Sequence, residues 1–185
     1  MRIIAGEAGG RRLVAPSGED TRPTAEKTRG SLFNILGVRV IGANVLDLFG
    51  GTGALALEAL SRGAEKAVVC DNGRNAIRAI EQNADVVLKN TGRERLRVMK
   101  SDYRAAISAM RGEKFGIVFL DPPYRMEDAY ADALTRLKAA GALAEGCLIL
   151  CERLSDRAIV YPEGFTVADT RKYRDTAVDF LREET

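Results

Sequence analysis

The tetrapeptide Asp121-Pro122-Pro123-Tyr124 follows an apolar run, Phe115-Gly116-Ile117-Val118-Phe119-Leu120, and combines a carboxylate, a rigid carbonyl and a flat ring. That set suits chemistry on an exocyclic amine of a nucleic-acid base. Such a nitrogen is a poor nucleophile because its lone pair is delocalised into the ring. The Asp121 carboxylate can accept one of its N–H groups and the Pro122 carbonyl the other, which turns the lone pair toward an electrophile. The two prolines fix φ and hold that carbonyl still, and Tyr124 offers a face for a flipped-out base. Given an activated methyl donor, positioning and electrostatics supply most of the rate. Asp121 can also take the released proton. The chain has no histidine, which excludes a Ser-His-Asp triad, an imidazole base and a His-containing zinc site.

A second constellation lies upstream in Val45-Leu46-Asp47-Leu48-Phe49-Gly50-Gly51-Thr52-Gly53. Glycines let the backbone turn sharply and approach a ligand closely, and a helix after the turn presents free amides. Gly51, Gly53 and Ala56 also satisfy a dinucleotide fingerprint, so a nicotinamide or flavin cofactor stays open at this point. Asp47 favours another ligand, because a dinucleotide places a pyrophosphate where this acid stands. Asp71 ends the next apolar run and Asp102 the one after, in Lys100-Ser101-Asp102-Tyr103. Acids at three successive strand ends match the ammonium, ribose and adenine of S-adenosylmethionine. Phe49, Gly51, Thr52, Gly53 and Tyr103 complete the expected cofactor contacts. Each aspartate alone could equally be a helix cap.

These residues need a scaffold that brings strand ends together. Hydropathy patterning predicts strands over 44–49, 66–71, 95–100, 115–120 and 147–152, with helices over 53–62, 73–89, 103–111 and 126–140. Alternation of that kind argues for a parallel sheet covered on both faces. Residues 165–172 and 176–181 read as a C-terminal antiparallel hairpin around Tyr173-Arg174-Asp175. The expected fold is α/β, a Rossmann-like S-adenosylmethionine-dependent methyltransferase with a mostly parallel seven-stranded sheet. Residues 1–24 read as a basic hairpin and loop appended to a methyltransferase domain over 25–185. A helix is expected after a Thr24 cap, turning Leu32, Phe33, Ile35 and Leu36 inward and stopping at Gly37.

With 185 residues the chain can bury one substantial core. Its apolar runs are too short to cross a bilayer, and a cytoplasmic location is expected. Cys147 and Cys151 lie about 13 Å apart if both are in one strand, too far for a disulfide or shared metal. With Cys70 they read as core thiols. The net charge of +2 sits in residues 1–30, where Arg2, Arg11, Arg12, Arg22, Lys27 and Arg29 face Glu7, Glu19, Asp20 and Glu26. A basic segment on a neutral body suits a polyanion, although solvated surface charge explains it equally well.

Several segments together resemble the RsmD-like family of bacterial 16S rRNA guanine-N2 methyltransferases. They are Arg2-Ile3-Ile4-Ala5-Gly6, Gly10-Arg11-Arg12-Leu13, Arg22-Pro23-Thr24 with Arg29, Leu32-Phe33-Asn34, Leu46-Asp47-Leu48-Phe49, Gly53-Ala54-Leu55, Leu57 to Ala64, Asn83 and Asp121 to Tyr124. The resemblance implies a monomeric, metal-free enzyme that methylates one guanine of 16S rRNA on an assembling 30S subunit. It further implies that Arg22, Pro23 and Thr24 border the active site and that Arg11, Arg12 and Arg29 lie near phosphates. Asp71, Gly116 and Arg174 depart from the family pattern, which more often has glutamate, an acid and glycine there. The alternatives are an N6-adenine methyltransferase, a nicotinamide-dependent oxidoreductase and a non-catalytic RNA-binding assembly factor.

Overall fold

Alternate apolar side chains in the central strands point to opposite faces of one sheet, and two cores form in consequence. In a computed structural model, residues 1–15, 26–89 and 92–184 are described. Helix α1 (Glu26–Leu36) precedes β1 (Asn44–Asp47), α2 (Ala54–Ser61), β2 (Lys66–Asp71) and α3 (Arg74–Leu88). The alternation continues through β3 (Leu96–Lys100), α4 (Tyr103–Ala109), β4 (Phe115–Leu120), α5 (Asp128–Ala139) and β5 (Leu143–Leu154). Strands β6 (Phe165–Tyr173) and β7 (Thr176–Glu183) end the series.

The seven strands form a single sheet in the order β3-β2-β1-β4-β5-β7-β6. Neighbours from β3 to β5 are parallel, and β7 is antiparallel to both β5 and β6. Val45, Ile117 and Phe119 enter one core with Phe33, Leu57 and Ile80, under α1, α2 and α3. Leu46, Val118 and Leu120 enter the other with Ile107, Leu134 and Leu137, under α4 and α5. This two-residue alternation decides which strand-end side chains share a side.

Each expected strand and helix is present, and the differences have simple causes. The first fifteen residues do pair as a short hairpin, with an isolated antiparallel bridge between Arg2 and Arg12. Ile3, Ala8 and Leu13 are buried in the first core, because the outer surface of α2 is too apolar to face water. Leu32, Phe33 and Leu36 of α1 point inward as expected, whereas Ile35 is partly exposed; its neighbours on the helical wheel already fill the seam. The Thr24 cap lies outside the described residues. Strand β5 starts earlier than expected and pairs irregularly with β4 beside Gly116. All three cysteines are free and buried. Burial pushes the thiols of Cys70 and Cys147 up to about 12.

Candidate active site

Strand order reverses between β1 and β4: the chain runs outward through β2 and β3, then returns to the other side of β1. The crevice outside the carboxyl ends of such strands is where open α/β sheets bind ligands. Two glycines shape the bend after β1. A Cβ on Gly50 would sit 2.3 Å from Val69 Cγ2, and Gly53, at φ 76°, starts α2 from the left-handed region that glycine adopts without strain.

Polar side chains fasten the bend. Asp71 accepts from the Gly51 N–H at 2.9 Å and from the Gly73 N–H at 2.8 Å, so its two oxygens join the first two strand ends. Asn83 is buried and donates to the carbonyls of Thr52 (2.8 Å) and Val14 (2.9 Å), while accepting from the Val14 N–H at 2.7 Å. That one amide ties the glycine bend to the N-terminal hairpin. Asp102 caps α4 by accepting from the Arg104 N–H at 2.9 Å. Tyr103 donates to Asp132 at 2.6 Å and lies against Phe49, ring centroids 5.3 Å apart.

A cavity of about 490 Å³ gathers Asp47, Phe49, Gly51, Thr52, Asp71, Asp102 and Tyr103 on one side. Asp121, Pro122, Pro123 and Tyr124 line the same space. Gly53, expected among the cofactor contacts, is absent from the lining. Tyr124 is 38% exposed, as a stacking face must be. Glu152 also lines the cavity; the residues before Asp121 and Glu152, Leu120 and Cys151, pair in register on the parallel strands β4 and β5. Sequence reasoning passed over Glu152, although it ends an expected strand just as Asp47, Asp71 and Asp102 do. The strand-end rule, applied once more, finds it.

Burial sets the electrostatics. Asp47 is 1% exposed, and burial pushes its carboxyl to about 7, with the Phe49 N–H opposing the rise and Asp71 adding to it. Asp121 keeps some surface in the cavity yet lies deep beneath the protein surface. Burial raises its carboxyl well above the ordinary range, and the neighbouring Glu152 and Asp47 add to the effect. A carboxyl raised on folding binds its proton more tightly in the native state. Stability contributed by protonated Asp47 is therefore complete near pH 4 and is lost as pH rises toward about 7. Asp47→Asn should remove that loss. We expect the unliganded variant to gain on the order of 2–4 kcal/mol over wild type at pH 7.5, and little at pH 4, in urea unfolding. Equal gains at both pH values would contradict the assignment.

The basic residues expected near phosphates divide. Arg12 is exposed. Arg11 instead donates to the carbonyls of Val86 and Val87 at the end of α3, which ties its guanidinium to the fold. Arg29, also expected near phosphates, has a fully buried side chain. Arg22, Pro23 and Thr24 lie outside the described residues.

A family model described as "Conserved hypothetical protein 95" matches residues 1–182. Ribosomal RNA small subunit methyltransferase D of Escherichia coli strain K12 is 36% identical over 152 residues, 82% of this chain and 74% of that one. The Haemophilus influenzae protein of the same name is 30% identical over 167 residues, 90% of this chain and 86% of that one. The chain belongs to this RsmD-like family. A solved Escherichia coli chain, yhhF, superposes with TM-score 0.85 at 30% identity, covering 100% of this chain and 98% of that one. TrmN from Thermus thermophilus shares the fold alone, with TM-score 0.68 at 20% identity over 84% of this chain and 48% of that one. The fold is that of a Rossmann-like methyltransferase.

The three positions expected to depart from the family pattern have these settings. Asp71, shorter than glutamate, bonds both glycine amides directly. Gly116 sits at the register shift between β4 and β5. Arg174 holds φ 43° in the β6–β7 turn, a left-handed value that glycine would adopt more easily.

Proposed function

We propose that this protein transfers a methyl group from S-adenosylmethionine to the exocyclic N2 of a guanine in small-subunit ribosomal RNA. The supporting observation is a single cavity lined by both the glycine bend with its three acids and the Asp121-to-Tyr124 tetrapeptide. The donor set fits the methyl donor: Asp47 for the ammonium, the backbone bend for close approach, Asp71 for ribose hydroxyls and Asp102 for the adenine amine. Bound S-adenosylmethionine supplies an electrophilic methyl carbon on a sulfonium. Asp121 and the Pro122 carbonyl hold the two N–H groups of the amine, so that its lone pair faces that carbon. As the N–C bond forms and the S–C bond breaks, Asp121 takes the proton that nitrogen loses. A raised carboxyl suits that role, because a base works best with its pKa near the operating pH.

Glu152 favours guanine over adenine. Guanine presents an N1–H beside its N2 amine, two neighbouring donors for two neighbouring carboxylates. Adenine presents an acceptor at N1, which would oppose Glu152. Donors arriving between Asp121 and Glu152 also relieve their mutual repulsion.

The RNA side of the reading assigns Arg12 and the Arg22-Pro23-Thr24 segment to contacts around the target, on an assembling 30S particle in the cytoplasm, with the protein acting as a monomer. The relatives' names support a small-subunit ribosomal RNA substrate. Incubation with undermethylated 30S subunits and labelled S-adenosylmethionine, followed by nucleoside mass spectrometry, should yield N2-methylguanosine. N6-methyladenosine without N2-methylguanosine would reverse the base assignment.

A further inference from the structure

A second groove, of about 800 Å³, runs between the N-terminal hairpin and the outer side of α1. Its lining positions Glu26, Lys27, Gly30, Ser31, Asn34 and Ile35 recur at three- and four-residue spacings, which marks one side of the helix. Arg2 and Ile4 belong to the hairpin wall. The groove adjoins the candidate active site. Met1 and Arg29 line the cavity described above, whereas Arg2 and Lys27 line the groove, so one helix width, ~10 Å, separates the two.

Folding alone does not explain this lining. Gly30 lies inside α1, where glycine weakens a helix relative to alanine. A Cβ there would meet only Ile4 Cδ1 among the described residues, at 3.5 Å, an ordinary contact. Packing would thus admit a side chain, and its absence leaves bare backbone in the groove. The charges point the same way. Arg2 and Arg12 stand directly opposite one another across the hairpin, and like charges so placed destabilise a strand pair. Lys27 is exposed on the facing helix. Among the described residues one ion pair, Arg2 Nε to Glu26 at 3.4 Å, answers these three cations. Beside them lie Ile4 and the partly exposed Ile35, an apolar floor. Cations that track a backbone, next to an apolar surface for a base, are what single-stranded nucleic acid takes.

We infer that this groove holds the RNA strand next to the target guanine, with phosphates on Arg2, Arg12 and Lys27 and one flanking base laid over Gly30 between Ile4 and Ile35. A strand held there reaches the cavity across the start of α1, and the target base turns in toward Tyr124. This surface rests on the RNA-substrate reading given above.

The test combines kinetics and cross-linking on undermethylated 30S particles. Gly30→Leu fills the groove without entering the core. It should keep Tm at or above wild type and raise KM for the particle about tenfold. Its kcat and its affinity for S-adenosylhomocysteine should stay within about twofold of wild type. Lys27→Gln should raise KM severalfold and lower the slope of log KM against log salt by roughly 0.7–1. The occupant is identified with Asn34→Cys carrying a benzophenone; the three cysteines already in the chain are buried, so the label goes to one exposed thiol. Irradiation should join it to 16S rRNA. No adduct, or an adduct with a ribosomal protein or a second copy of this chain, overturns the assignment. So does a wild-type KM in Gly30→Leu or an unchanged salt slope in Lys27→Gln. If Gly30→Leu loses stability, the cross-link and Lys27→Gln decide. A wild type that binds S-adenosylhomocysteine yet methylates no 30S particle overturns the substrate reading itself.

Discussion

Asp121→Ala should lower kcat for methyl transfer by at least about 10³-fold, while S-adenosylhomocysteine binds within about threefold of wild type. The size follows from what the side chain does alone. On the proposed reading it is the one carboxyl group at the tetrapeptide, and the proton's destination. Its partner in gripping the amine, the Pro122 carbonyl, is neutral and remains in the variant. On the proposed reading the methyl donor meets the ends of β1 and β2 and the start of α4 rather than the loop after β4, so its affinity should change little. Asp121→Asn is the finer probe: it keeps one acceptor oxygen but cannot take the proton, and should fall between wild type and alanine. Single-turnover rates on 30S particles and calorimetry without RNA separate the two quantities. Full turnover by the alanine variant would remove Asp121 from the mechanism, and parallel loss of cofactor binding would make it a structural residue.

Stability should hinge on Glu58. This residue lies in α2, in the segment Ala54-Leu55-Ala56-Leu57-Glu58-Ala59-Leu60-Ser61, and is fully buried. Its carboxylate accepts from two hairpin amides and from Arg62, and faces Arg29. Glu58→Ala leaves a buried guanidinium without its counter-charge and strips two backbone amides of their acceptor. Removing one partner of such a pair costs about 3–5 kcal/mol. For a chain of this size that is a fall in Tm of roughly 6–20 °C. The hairpin should loosen first. Its other ties to α2 pass through Ser61, which donates to the Ala5 carbonyl at 2.6 Å and accepts from the Ala8 N–H at 2.9 Å. Thermal unfolding with limited proteolysis reads both effects. A loss below 1 kcal/mol with an uncut hairpin would show that the cluster contributes little. Glu58→Gln, which keeps one acceptor oxygen and loses the charge, should lie between.

The two residues differ in how plainly the sequence announces them. Asp121 is conspicuous, since two prolines and a tyrosine after an apolar strand have few structural uses. The aspartates at the ends of β1, β2 and the β3–α4 turn are conspicuous as a set. Glu58 and Arg29 are not. A charged residue in a helix ordinarily faces water, and only the packing of the hairpin against α2 encloses these two. The resemblance implied phosphates near Arg29, and the fold buries its side chain.

By itself the sequence determined the order of strands and helices along the chain, the glycine bend and the Asp-Pro-Pro-Tyr tetrapeptide. Those features are written in local terms, as a period of two, a period of 3.6 and the few residues able to turn the chain. Tertiary structure alone decided which charges are buried and which strand ends meet. It set Glu152 beside Asp121, sent Ile35 outward, tied Arg11 to α3 and closed the hairpin over Glu58 and Arg29. Those outcomes depend on contacts between segments far apart in the chain, and burial, which fixes the energy of a charge, is a property of the assembled fold.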